Sequence, residues 1–197
     1  MDINLIIDTM ISTAKIYGID LNKDDLNEIM QISTLKLFHK GDIIHQIGDE
    51  NDNVGFVLNG LIRSYYLDEN GNETTRYFHP ENSLFMDEGL VNYPKSICAC
   101  EALEDCVVVT FPTKEVKEIA LQRESLRNLY IILLENAVRY KIERENLFLT
   151  CTATERYLQF IKNYPTLCDR VRQSYIATYL GIAPESLSRI RRSLKEQ

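Results

Sequence analysis

From Thr34 to Phe111 the apolar residues come in short runs: "LKLF", "DIIHQI", "VGFVLN", "LIRSYYL", "TTRYFH" and "CVVVTF". Turn-forming residues separate each run from the next. Runs this short, repeated about every ten residues, fit the strands of a compact β-sandwich or barrel and are too brief for helices. Within "LDENGNET" the pair Asn70-Gly71 falls between two such runs. It predicts a two-residue hairpin turn in which both positions accept positive φ. Beyond Phe111-Pro112 the strand pattern stops.

Helical spacing flanks this block on both sides. Residues 2–17 predict an amphipathic helix, and a short one follows from about Asn22, a good cap, with Leu26, Ile29 and Met30 on one face. Thr113–Ala120 predicts another short helix, capped by Thr113. A long helix runs from Glu124 to about Leu149. On it Leu126, Tyr130, Leu133, Ala137, Tyr140, Arg144 and Leu147 follow the 4-3 spacing of a helix-pairing seam. Arg144 interrupts that seam, and packing onto the chain's own β-domain would leave the same stripe. "CTATERYLQFIKNYP" is a further helix, stopped by Pro165.

At 197 residues and 45% apolar content the chain can bury one large core or two small ones, and its charges are mixed in sign. The five cysteines form no C-x-x-C pair, which fits reduced thiols and a cytoplasmic location. The N-terminal residues lack a basic, continuously apolar leader. No apolar run approaches the roughly 18 residues of a membrane span, so no membrane association is expected. The net charge of −7 is unevenly spread. From Arg170 to Gln197 there are six basic residues (Arg170, Arg172, Arg189, Arg191, Arg192, Lys195) against Glu185 and Glu196, leaving −11 for residues 1–169. An acidic body with one basic end suggests an anionic partner there, although a solvated helix face gives the same count.

The basic end has an internal order. "SYIATYLGIAPESLSRIRRSL" is a short helix, a break at Gly181, and a second helix opening at Pro184. Glycine supplies the left-handed residue that ends a helix, and proline suits the first helical position. This is a helix-turn-helix unit. In the second helix Leu187, Ile190 and Leu194 share one face, while Glu185, Ser188, Arg189 and Arg192 point away from it. Arginine can fork onto guanine and a carboxylate can accept from cytosine, which suits a helix lying in the major groove. Arg170, Arg191, Arg192 and Lys195 suit phosphates, and Ser174, Pro184 and Ser186 fall at the approaching helix ends. An ordinary helical hairpin with a charged face is the plainer alternative.

The order of parts resembles the Crp/Fnr transcription regulators over nearly the whole chain. The stretches that carry the resemblance are "FHKGDIIHQIGDENDNVGFVLNGLIRSYY" and "YIATYLGIAPESLSRIRRSL". It implies an α+β chain: an N-terminal β-roll of cyclic-nucleotide-binding, jelly-roll type with flanking helices (1–123), a dimerisation helix (124–149) and a helix-turn-helix domain (150–197). Gly41, Gly48 and Gly60 match the small-residue turns of the roll. Glu185 and Arg189 match the pair that reads a G·C base pair in each half-site. A homodimer on near-palindromic double-stranded DNA is implied, with recognition helices about 34 Å apart and RNA polymerase as a further partner. The sequence ends just after the recognition helix, so the β-hairpin wing of many relatives is expected to be missing.

The effector position departs from the family pattern. Members that bind cyclic AMP use a Gly-Glu pair and, several residues later, an Arg-Ser or Arg-Thr pair; the matching stretch here is "SLFMDEGLVNYPKSICA". Met86 or Asp87 replaces the glycine, Lys95 stands for the bidentate arginine, and Pro94 has no N–H to donate. Cyclic AMP is therefore disfavoured. Another ligand would find Arg63, Asp87, Glu88, Lys95 and Ser96 in the roll, with Arg139 and Tyr140 on the long helix. A regulator without an effector, or one sensing redox state, stays open. Cys98 and Cys100 read as two small core residues, the first cysteine lies too late for the family's iron–sulfur cluster, and nothing singles out His39, His45, His79 or a cysteine for haem. A metal-dependent enzyme needs converging ligands, and the histidines form no H-x-H pair. "DENDNVG" lacks the Gly and Glu of a calcium loop. No cofactor and no catalytic residue is expected.

Overall fold

The computed structural model describes residues 3–196. The chain divides into two compact units. One takes in the chain up to Ser64 together with Phe78–Asn136, and the other takes in Tyr65–Tyr77 and the chain from Ala137 onward.

In the first unit, α1 (Ile3–Ile16) and α2 (Lys23–Gln31) precede the strands. Residue 2, where the sequence pattern begins the first helix, lies outside the described residues. Asn22 caps α2 as expected, its side-chain oxygen accepting the Asp25 N–H at 2.8 Å. Eight strands follow: β1 (Thr34–Phe38), β2 (Ile43–His45), β3 (Asn53–Asn59), β4 (Ile62–Leu67), β5 (Glu73–His79), β6 (Leu84–Phe85), β7 (Ala99–Ala102) and β8 (Cys106–Pro112). They form two four-stranded sheets, ordered β1-β8-β3-β6 and β2-β7-β4-β5. The two-layered β architecture expected from the short apolar runs is present, and with it the roll that the resemblance implies.

Strand β8 explains why "CVVVTF" is apolar at every position but Thr110 rather than alternating. Val109 and Phe111 join a core with Ile6, Ile7, Leu26 and Phe56, where the helices cover one sheet. Cys106 and Val108 face the other way, into a second core with Val57, Ile62, Phe85 and Cys100. Both faces are buried, so both must be apolar. Each large side chain so buried contributes about 1.5–3 kcal/mol of transfer free energy. Gly60, between β3 and β4, has φ 95°, and a Cβ there would come within 2.6 Å of the Asp105 carbonyl oxygen. Gly41 and Gly48 also have positive φ.

Two local expectations change. The β4–β5 connection is not a two-residue turn, because only Gly71, at φ 79°, has positive φ. Asp68 takes over the geometry instead. Its carbonyl accepts the Gly71 N–H at 3.0 Å, while its carboxylate accepts the N–H groups of Asn70 and Asn72 at 2.9 and 2.8 Å. A turn closed from Asp68 to Gly71 followed by a left-handed glycine is the next commonest hairpin solution. The other change is at α3 (Thr113–Gln122), whose cap position is Pro112. Thr113 is the first helical residue, and its N–H is donated to the Asp52 carbonyl at 2.8 Å.

Helix α4 (Glu124–Thr150) begins in the first unit and ends in the second. The second unit continues with α5 (Ala153–Asn163), α6 (Leu167–Arg170), α7 (Gln173–Tyr179) and α8 (Pro184–Lys195). Thr152 opens α5 with a full capping box: its hydroxyl accepts the Glu155 N–H at 3.3 Å, and the Glu155 carboxylate accepts the Thr152 N–H at 2.7 Å. Tyr157, Phe160, Leu167, Ile176 and Leu187 supply the buried interior of this unit.

Candidate nucleic-acid interface and effector position

Helix α7 ends as the glycine predicts. The Ile182 N–H reaches back to the Ala177 carbonyl at 3.0 Å and the Gly181 N–H to Thr178 at 3.1 Å, with Gly181 at φ 66°. That paired closure is a Schellman motif. Pro184 then takes the first helical position of α8. Leu187 is fully buried and Ile190 and Leu194 are half-buried, so the apolar face fixes the roll angle of α8. Glu185, Ser188, Arg189 and Arg192 are exposed on the other side, and Arg189 folds back with its Nε 3.4 Å from the Glu185 carbonyl. Ser174 and Pro184 are also exposed. Ser186 and Arg191 are half-buried. The Arg191 charge falls beside the Tyr157 phenol, opposing the rise in that phenol's pKa that burial causes.

Of the residues expected around an effector, Glu88 and Ser96 meet at Cys98, whereas Lys95 lies apart. Arg63 is fully buried with Nη1 2.6 Å from Glu101 Oε1, an ion pair across strands β4 and β7. Glu88 is buried in the short 3-10 turn Asp87–Val91 and accepts the Cys98 thiol at 3.0 Å. Ser96 is buried beside it, its hydroxyl donating to the Cys98 carbonyl at 2.7 Å. Lys95 stands apart: it is exposed, and its ammonium lies 3.5 Å from Glu50. Asp87 opens the 3-10 turn, and its side chain lies outside what is described. Met86 adopts the left-handed region at φ 56°, costly for a long side chain, and places that side chain in the core between the sheets. Cys100 belongs to the same core, so both cysteines of the C-x-C are buried as expected.

Arg139 is exposed, whereas Tyr140 belongs to an aromatic cluster of the second unit. Its hydroxyl is 3.2 Å from that of Tyr179, and its ring meets Tyr77 edge-on at 4.7 Å. Burial, then the neighbouring Tyr179, pushes its phenol well above the usual tyrosine range.

The stripe expected as a dimer seam is largely used within the chain. Leu126 lies in the first unit's core, and the Tyr130 hydroxyl donates to the Leu90 carbonyl at 2.8 Å. Leu133, Ala137 and Leu147 are half-buried. Around the helix a second 4-3 stripe is exposed instead: Ile131, Val138, Ile142 and Leu149, with Glu135 and Glu145 in register between them. Sequence periodicity missed this stripe because the other is just as apolar. The capping box was legible as Thr152-x-x-Glu155 and also went unused.

The three histidines have separate surroundings: His39 beside Asp105, His45 beside Asp49, and His79 buried against the Ser64 hydroxyl. Among the described residues no group of three or more His, Cys, Asp or Glu is gathered as metal ligands would be. Nor is any described helix long and apolar enough to cross a membrane.

Residues 35–123 match the cyclic nucleotide-binding domain family. The chain is 27% identical over 187 residues to the transcriptional activator protein Anr of Pseudomonas protegens, covering 87% of this chain and 75% of Anr. It is 25% identical over 182 residues to the fumarate and nitrate reduction regulatory protein of Vibrio cholerae, covering 86% and 72%. The structure of FixK2 from Bradyrhizobium japonicum superposes with a TM-score of 0.76 at 22% identity, covering 84% of this chain and 86% of that one. The family match lies within the roll and α3, whereas the likenesses to whole regulators cover 84–87% of the chain. Residues 35–123 therefore belong to the cyclic nucleotide-binding domain family, and the chain as a whole is similar to transcription regulators of the Crp/Fnr type.

Proposed function

We propose that this regulator is a cytoplasmic homodimer that binds near-palindromic double-stranded DNA, with α8 entering the major groove. The observation that carries the reading is the division of α8 into a buried apolar face and an exposed one bearing Glu185, Ser188, Arg189 and Arg192. Arg189 and Glu185 read bases; Arg192 and Lys195 hold phosphates. The exposed stripe Ile131, Val138, Ile142 and Leu149 pairs the two copies, in place of the stripe that periodicity favours. RNA polymerase is the expected further partner of such a dimer on DNA.

The roll does not take cyclic AMP in the way of those family members that bind it. Met86 fills the core beneath the position, Glu88 is committed to the Cys98 thiol, and Lys95 is on the surface with Glu50. An anion placed beside buried Glu88 would meet repulsion without a bidentate donor to offset it. The regulator therefore answers to a different ligand or to none, and it is not an enzyme.

Fluorescence anisotropy on a selected duplex and a random one tests the interface. Arg189→Ala should cost about 1–3 kcal/mol at a single base position, whereas Arg192→Ala and Lys195→Ala should weaken every sequence alike. Equal losses on both duplexes for Arg189→Ala would remove Arg189 from base reading.

A further inference from the structure

A helix leaves its last four carbonyls without intrahelical partners, and in α7 every one of them is accounted for. Ala177 and Thr178 accept the N–H groups of the Schellman turn at 3.0 and 3.1 Å. The last two carbonyls are met from outside the helix-turn-helix. Arg144 on α4 donates Nη2 to the Tyr179 carbonyl at 2.9 Å. Arg156 on α5 donates Nε to the Leu180 carbonyl at 3.1 Å and Nη1 to the Cys151 carbonyl at 2.8 Å.

Phe148 lies against both guanidinium groups, each 5.0 Å from its ring centroid. Arg144 also stacks on Tyr179 at 4.1 Å. A Cβ on Gly181 would come within 2.7 Å of the Phe148 ring, so the turn is pressed directly onto this sandwich. Two cations at the negative end of α7 also complement its dipole. Charged donors to carbonyls are among the stronger hydrogen bonds, and stacking fixes the plane of each fork.

We propose that Arg144 and Arg156 are positioning residues for DNA recognition: with Phe148 they clamp the Leu180–Ala183 turn and so set the direction in which α8 is presented. This rests on the reading of α8 as the recognition helix. Both arginines lie outside the basic segment from Arg170 onward. Their donors are turned to the protein's own carbonyls rather than to phosphates.

Arg144→Gln, Arg156→Gln and the charge-keeping Arg156→Lys are compared with the full-length protein by amide hydrogen exchange and by anisotropy across a salt series. Exchange over residues 179–183 should quicken about tenfold or more while α5 amides hold. Discrimination between a selected and a random duplex should fall about tenfold, with the salt dependence of binding unchanged. Lysine, a point charge without the fork, should recover little of either. Unchanged exchange in the turn would overturn the clamp. A salt slope lower by about 1 with equal loss on all sequences would make these arginines phosphate contacts instead. If the unsubstituted protein shows no discrimination, the DNA reading fails by itself, and the exchange rates alone decide the clamp. Circular dichroism identifies any variant that has lost its helices, and the lysine variant then carries the comparison.

Discussion

Single residues in this chain often serve the fold where their chemistry suggests a ligand. Lys95 has the charge to hold a phosphate but is exposed beside Glu50, while Glu88 and Ser96 are tied to Cys98. Arg63, at first sight a pocket cation, is buried against Glu101. Glu155 shows how such a local bond becomes a pH effect. The Thr152 N–H and then its hydroxyl hold the carboxyl below the usual glutamate range. A carboxyl depressed in the folded state adds stability above its unfolded pKa and loses it as pH falls through the folded value. The melting-temperature gap between wild type and Glu155→Gln should therefore be present at neutral pH and close under acid conditions. A gap independent of pH would show that the capping box contributes nothing through charge.

At the scale of elements, the strands and the helix-turn-helix were legible because their signals are local. Short apolar runs, Gly181 and Pro184 each act within a few residues. The hairpin misled because Asp68, two residues before the Asn-Gly pair, supplies acceptors that favour a longer loop. Helix α4 is harder to read for a different reason: it is apolar on two faces. Leu126, Tyr130 and Tyr140 are consumed inside the chain, and the stripe left exposed is visible only once they are placed. In a parallel two-fold dimer along that stripe, Glu135 and Glu145 face their own copies. Like charges brought together cost free energy, so Glu135→Leu should tighten the dimer, read as a lower dissociation constant in sedimentation equilibrium. A variant no tighter than wild type would place the seam elsewhere on α4.

At the scale of the whole molecule, the chain divides into two compact units, and the roll lies mostly in the first. The roll belongs to the cyclic nucleotide-binding family by its match, while Met86 lies in its core and Glu88 accepts the Cys98 thiol. A ligand at 100 times its dissociation constant stabilises the state it binds by about 2.7 kcal/mol, enough to raise a melting midpoint by a few degrees. About 1 mM cyclic AMP, 100 times a dissociation constant near 10 μM, should produce no such rise. A clear rise would mean that the Glu88–Cys98 contact opens and Lys95 turns inward. The departures of Met86 and Lys95 from the family pattern were visible in the sequence. That Met86 fills the core and Lys95 faces outward depended on backbone geometry, which no motif records.

The central claim, sequence-specific recognition by a symmetric pair of α8 helices, is tested most directly by selecting bound duplexes from a random pool with the full-length protein. A near-palindromic site whose half-sites lie about 10 base pairs apart, centre to centre, should be enriched. A bound fraction no different in sequence from the starting pool would contradict it.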